Sequence, residues 1–283
     1  MKGFRKALTG LLFGAGLALC LLPLLGNIRN QRKQEKILST YESVEASIDG
    51  EKKDAERKAA EIYNRWIFQI RTGAGIAGAG EAEQVREYEE LLNTAGTGMM
   101  GSLEIPKIDV DLPVYHGTSQ SVLSAGVGHL EGSSLPVGGT GTRCVLTGHR
   151  GLPGSRLFTR LDELEEGDLL YMRILGEVLA YQVEKIEVID PQEVEKLEIR
   201  EGQDLLSLVT CTPYGINTER LVVTGRRVPY SQQSYEKIRA AVPSCRELFF
   251  SAAPFLFSGA AVGIWLKRRR AGTRGKEVQK FDV

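Results

Sequence analysis

Histidine, cysteine and tryptophan are scarce in this chain of 283 residues, at three, four and two copies. The cysteines at 20, 144, 211 and 245 form no Cys-x-x-Cys pair and the histidines at 116, 129 and 149 have no ligand spacing, so no metal site is expected. An excess of either charge is also missing. The 36 basic side chains balance 36 acidic ones, so nothing in the charge suggests a nucleic-acid partner, and none is expected. No internal repeat is evident along the chain.

Charge is also missing from two long runs. Ala7–Ile28 is about 22 residues without a charge, enough at 1.5 Å per residue to cross a hydrocarbon core of roughly 30 Å. Leu21, Leu22, Leu24 and Leu25 stand where a cleaved signal peptide needs small residues, which favours an uncleaved anchor. Cys20 follows the bulky Leu19 and reads as an apolar membrane residue, not as a lipoprotein processing site. A second run, Leu248–Leu266, ends in Lys267, Arg268, Arg269 and Arg270, a stop signal under the positive-inside rule. The expectation is a two-pass protein of the cell membrane, in contact with the lipid bilayer, with both termini cytoplasmic and the part between them outside. The expected segments are 1–28, an N-terminal tip and anchor; 29–99, a helical and glycine-rich lid or spacer; and 100–230, a catalytic β domain. A linker at 231–247, a transmembrane helix at 248–266 and a basic tail at 267–283 complete the chain.

From Gln31 to about Gln69, apolar residues such as Ile37, Tyr41, Val44, Ile48, Ala55, Ala59, Ile62 and Trp66 recur at spacings near three and four. This predicts an amphipathic helical segment with a break at Gly50. Thr72–Gly80 reads as a flexible glycine and alanine linker, and Glu81–Asn93 as a short helix. From Ser102 the pattern changes to short Val-, Ile-, Leu- and Tyr-rich runs punctuated by Gly, Pro, Asp and Asn. About eight strands at this spacing predict a mainly β fold, a closed or nearly closed barrel or a sandwich.

LLSLVTCTPYGINTERLVVTGRRV places Cys211 and Arg220 at facing ends of two apolar strands joined by a turn-rich loop. CVLTGHRG puts His149 at the end of another strand, so a thiol, an imidazole and a guanidinium can meet on one rim. Cys144 lies five residues before His149 on one strand, about 16 Å away at roughly 3.3 Å per residue, and so cannot be its partner. It reads as a packed strand residue, although an oxidising compartment would permit a Cys144–Cys211 disulfide. Cys211 is better explained as a nucleophile, His149 as its acid and base, and Arg220 as a permanent charge for a developing oxyanion. Glu219 alternates to the other face of its strand. Together these residues form the kit for acyl transfer through a thioester.

GSLEIPKIDVDLPVYHGT, GVGHLEGSSLPVGG, VLTGHRGLPGSRLFTRLDEL and LVTCTPYGINTERLVVTGRR resemble the sortases, and within them the pilin-polymerising class C enzymes. The resemblance covers about residues 90–229. It implies a sortase-like closed barrel of about eight strands with short helices, preceded by a helical segment and flanked by two transmembrane helices. It assigns the nucleophile to Cys211, the acid/base to His149 and transition-state stabilisation to Arg220. The implied reaction cleaves an LPxTG-like sorting signal between Thr and Gly, then transfers the acyl group to a lysine of a pilin subunit. No metal or organic cofactor is implied. Thr210 becomes a candidate for lining the substrate groove. For His116 and His129 the family pattern suggests structural hydrogen bonding, with substrate contact the alternative at His129. The Asp-Pro-aromatic cover of many class C relatives is missing, which leaves Trp66 and Phe68 as the aromatic candidates for a lid. A housekeeping sortase acting on a cell-wall precursor, a noncatalytic pilus-assembly scaffold and a hydrolytic thiol protease are the competing readings.

Overall fold

Alternating burial along the chain from Met99 resolves into eight strands: β1 Met99–Ile105, β2 Val110–His116, β3 Val127–His129, β4 Thr142–Thr147, β5 Leu169–Ile174, β6 Glu177–Ile189, β7 Asp204–Thr212 and β8 Glu219–Val228. In this computed structural model, which describes residues 2–73, 85–152, 155–238, 252 and 255–264, they close into a barrel in the order β1-β2-β3-β4-β7-β8-β6-β5. Every second residue points inward. Leu103 and Ile105, Leu112 and Val114, Cys144 and Leu146, Leu206 and Leu208, and Leu221 and Val223 fill the interior as one cluster. The closed barrel meets the expectation, and closure leaves every strand paired on both sides.

Two features of the ladder fix where chemistry can sit. β4 and β7 run parallel, and β8 runs antiparallel to β7. The C-terminal ends of β4 and β7 and the N-terminal end of β8 therefore share one rim, and the turn leading into β4 lies at the opposite end. The residues of these strands that point outward, Val145, Val209 and Val222, form a second small cluster with Ile189, bordered by Leu130 and Leu197.

Two helices precede the barrel, α1 at Lys2–Ser47 and α2 at Gly50–Thr72, and the break between them falls beside the expected Gly50. Asp49 caps α2 by accepting from the Gly50 N–H, and Gly73, at φ 67°, ends it in the left-handed conformation. Ala60, Tyr63 and Ile67, three and four apart, bury one face of α2. Asn64 fastens that face: its side chain donates to the Leu135 carbonyl (3.1 Å) and accepts from the Leu135 N–H (2.6 Å). Tyr41 of α1 donates to the Met100 carbonyl (2.7 Å). Two short helices accompany the strands, α3 at Gln120–Ala125 and α4 at Gln232–Lys237.

The helix expected over Glu81–Asn93 is a single 3-10 turn at Tyr88–Glu90 within its described residues. Leu91 and Leu92 are both wholly buried, and Leu92 has φ 60°, so burial of two consecutive side chains takes precedence over helical geometry here. Most of the Thr72–Gly80 linker lies outside the described residues. The expectation of two transmembrane helices, and with it the two-pass membrane location, is overturned. Among the described residues no helix is long and apolar enough to cross a membrane. The first run is diluted by Thr9, Gly10, Gly14, Gly16, Gly26 and Asn27 and continues within α1 into the charged stretch from Arg29. Of the second run, helix is described only over residues 255–264, about 15 Å of rise where roughly 30 Å is needed. The chain forms two compact units, Asn27–Ala241 and Met1–Gly26 with Val242–Val283, and the barrel belongs to the first.

Candidate active site

Strand register assembles the site. In the antiparallel β7–β8 pair, Cys211 lies directly opposite Arg220. In the parallel β4–β7 pair the last strand partners are Thr147 and Val209. The ladder continues one step further: the Gly148 N–H donates to the Val209 carbonyl (3.1 Å), and the Thr210 hydroxyl donates to the Gly148 carbonyl (2.8 Å). His149, two residues past Thr147, is thereby set alongside Cys211, two residues past Val209. Alternation places all three side chains on one face. Leu146, Leu208 and Leu221 point into the barrel, so His149, Cys211 and Arg220 follow the outward set of Val145, Val209 and Val222.

Each group is held differently. Cys211 and His149 are half-buried, and Nε2 of His149 is buried without a hydrogen-bond partner among the described residues. Arg220 Nη1 donates to the carbonyls of Glu219 (3.0 Å) and Asn217 (3.3 Å), the latter presented by a left-handed backbone at φ 64°. The backbone of His149 is pinned on its far side by the Phe158 N–H, which donates to the His149 carbonyl (3.1 Å). Gly148 permits this approach, since a Cβ there would stand 2.7 Å from the Phe158 ring.

The remaining candidates lie elsewhere. Thr210 is 2% exposed and points into the barrel. It positions the end of β4 through Gly148 and does not line the outer face. His129 is fully buried; Nδ1 accepts from the Tyr88 hydroxyl (2.9 Å) and Nε2 faces the Ser134 carbonyl (2.9 Å) and Ser133 hydroxyl (3.1 Å), so both nitrogens are engaged inside the protein. Burial pushes its pKa down to about 4. His116 also faces two main-chain carbonyls, Leu91 (2.7 Å) and Gly98 (2.9 Å). Cys144 points inward, and burial pushes its thiol well above the ordinary range, which suits a packing residue.

Of Trp66 and Phe68, Phe68 stands at the wrong end for a cover. Both are on α2; Trp66 packs beside Tyr63 with ring centroids 5.7 Å apart, and the Phe68 ring lies against Gly141. Gly141 immediately precedes β4 and is roughly 20 Å of strand from the rim that carries His149. Both side chains are only partly buried, and the helix period contains nothing about which end of the barrel receives them.

A further side chain at the site goes unread in the sequence. Arg150 donates from Nη1 to the Thr212 hydroxyl (3.1 Å), pairs through Nη2 with the Asp162 carboxylate, and stacks over Tyr214 with 6.0 Å from Cζ to the ring centre. Its adjacency to His149 is the only sign the sequence offers.

Comparison with known proteins agrees with this geometry. The sortase domain family matches residues 103–228. A curated sortase D of Bacillus subtilis is 34% identical over 131 residues, 45% of this chain and 63% of that protein. The first curated relatives are matched over 51–63% of their length. Sortase C1 of Streptococcus agalactiae is 42% identical with TM-score 0.62, covering 69% of this chain and all of that structure. Sortase C of Streptococcus pneumoniae, whose structure is described as informative on catalysis and pilin substrate specificity, is 35% identical with TM-score 0.58, over 69% of this chain and 97% of its own. The chain belongs to the sortase family of cysteine transpeptidases, with class C sortases as its structural relatives.

Proposed function

We propose that this protein joins pilin subunits by transpeptidation, with Cys211 as nucleophile, His149 as acid and base and Arg220 as oxyanion stabiliser. The observation that carries the reading is the register pairing of Cys211 with Arg220 on the outward face to which the β4–β7 ladder brings His149. In the first half-reaction the Cys211 thiolate attacks the threonine carbonyl carbon of an LPxTG-like signal, and the negative charge moves to the carbonyl oxygen. The Arg220 guanidinium, on the paired strand, supplies N–H donors and positive charge to that oxygen. Collapse of the intermediate breaks the Thr–Gly bond, and protonated His149 gives its proton to the departing glycine amine. A thioester remains on Cys211.

In the second half-reaction a pilin lysine amine attacks the thioester carbonyl. A lysine with an ordinary pKa near 10.4 arrives protonated at neutral pH, so a base must take its proton, and neutral His149 fills that role. The isopeptide bond forms as the Cys211–acyl bond breaks.

The test is mass spectrometry of the protein incubated with an LPxTG-containing peptide, beside Cys211→Ala. An acyl adduct on Cys211 that the variant lacks is expected; absence of any adduct on the parent refutes this substrate class. A lysine-bearing pilin peptide should then release the adduct as an amide. Exclusive release by a peptidoglycan-like amine would assign a housekeeping role instead, and release only as free acid, with amine in excess, would assign a thiol protease.

A further inference from the structure

The main-chain ladder that joins β4 to β7 ends one residue short of the reacting groups. Gly148 and Thr210 are bonded to one another, and beyond them β4 and β7 offer no further strand pairing. One residue past the reacting groups, Arg150 and Thr212 are bonded again, through Nη1 and the hydroxyl. His149 and Cys211 are thus bracketed: Gly148–Thr210 on one side, Arg150–Thr212 on the other. We infer that Arg150 is the positioning residue that sets the separation of His149 and Cys211, an inference that rests on the catalytic reading above.

The side chain is built for that task. It is 5% exposed, and a guanidinium so buried requires a carboxylate partner, which Asp162 supplies. Asp162 lies in a 3-10 turn, Leu161–Glu163, whose Leu161 is wholly buried in the barrel core. The clasp therefore runs from the core through Asp162 and Arg150 to Thr212. Tyr214 closes the guanidinium from another side, within cation–π range, and lies so near Gly151 that a Cβ there would stand 2.8 Å from its ring. Two N–H groups meet two fixed partners, Thr212 and Asp162, and the Tyr214 ring lies against the guanidinium, a geometry that lysine cannot reproduce. Arg150 does not contact the reacting atoms; it acts through the two residues it brackets.

The test compares Arg150→Met, Thr212→Val and Thr212→Ser in the full chain. Arg150→Met should lower kcat for adduct formation at least tenfold with KM within about twofold of the parent. Thr212→Val, which removes only the acceptor, should lose about fivefold, and Thr212→Ser, which restores it, should return to the parental rate at equal Tm. A purely structural role would not separate Ser from Val in this way. A second readout needs no peptide: the pH profile of Cys211 alkylation, read by mass mapping, should shift in Arg150→Met and stay parental in Thr212→Ser. The inference is overturned if Arg150→Met and Thr212→Val both keep kcat within twofold, if the loss falls on KM alone, or if the alkylation profile does not move. A parental alkylation profile in His149→Ala would instead overturn the catalytic reading itself.

Discussion

Burial sets His129 apart from His149 and gives it a measurable signature. Its folded pKa of about 4 lies below the unfolded value of 6.5, because burial opposes the charged ring. The unfolded chain therefore binds the extra proton first. The stability this neutral histidine contributes is complete above about pH 6.5 and is lost as pH falls towards 4, to a total of about 3 kcal/mol. Denaturant unfolding between pH 7 and 4 should show that slope, and His129→Gln should flatten it; a parental slope in the variant would show that another group carries the titration. At this scale the sequence was legible where a rule of pairing applied. Cys211 and Arg220 face one another because two apolar strands with a short loop have only a narrow choice of register. Thr210 was not legible, since whether a strand residue points in or out depends on which neighbours close the barrel around it. Arg150 was hidden for a related reason: its partner Thr212 is 62 positions away and is reached only through a parallel strand pair.

The helices before the barrel show the same division. Spacing near three and four located α1 and α2, and the capping pair of Asp49 and Gly73 gives α2 definite ends. The docking site of α2 is written in Leu135 and its own Asn64, residues with no periodic relation to one another. This placement carries a prediction. With Phe68 packed at the end of β4 remote from His149, Phe68→Ala should leave the alkylation rate of Cys211 within about twofold of the parent under native conditions. It should lower unfolding stability by about 2 kcal/mol through lost packing, as removal of a partly buried aromatic does. A rate rise of tenfold or more without global unfolding would return this side chain to the role of a cover. The stretch just before Asn93 defeats local reading altogether: Leu91 and Leu92 are drawn into the core side by side, and the His116 ring holds the Leu91 carbonyl, so tertiary demand decides the backbone.

At the scale of the whole barrel, closure makes every strand depend on partners far along the chain. The eight-strand count and the mainly β class were readable from turn spacing, but the pairing of β4 with β7 was not, because a parallel pair has no turn to announce it. The β4–β7 pair joins residues 62 apart, from Thr142 with Asp204 to Thr147 with Val209. Loops of that length close slowly relative to hairpins. In refolding, the ability to form an adduct on Cys211 should return with hydrogen-exchange protection of β4 and β7 and after protection of the β5–β6 and β7–β8 hairpins; adduct formation ahead of β4–β7 protection would contradict this order. A chain emerging from the ribosome carries its histidine well before its cysteine, and even then the two remain strangers until one parallel seam is sewn. On the proposed reading, adduct formation on Cys211 is in this sense a proof of completed folding.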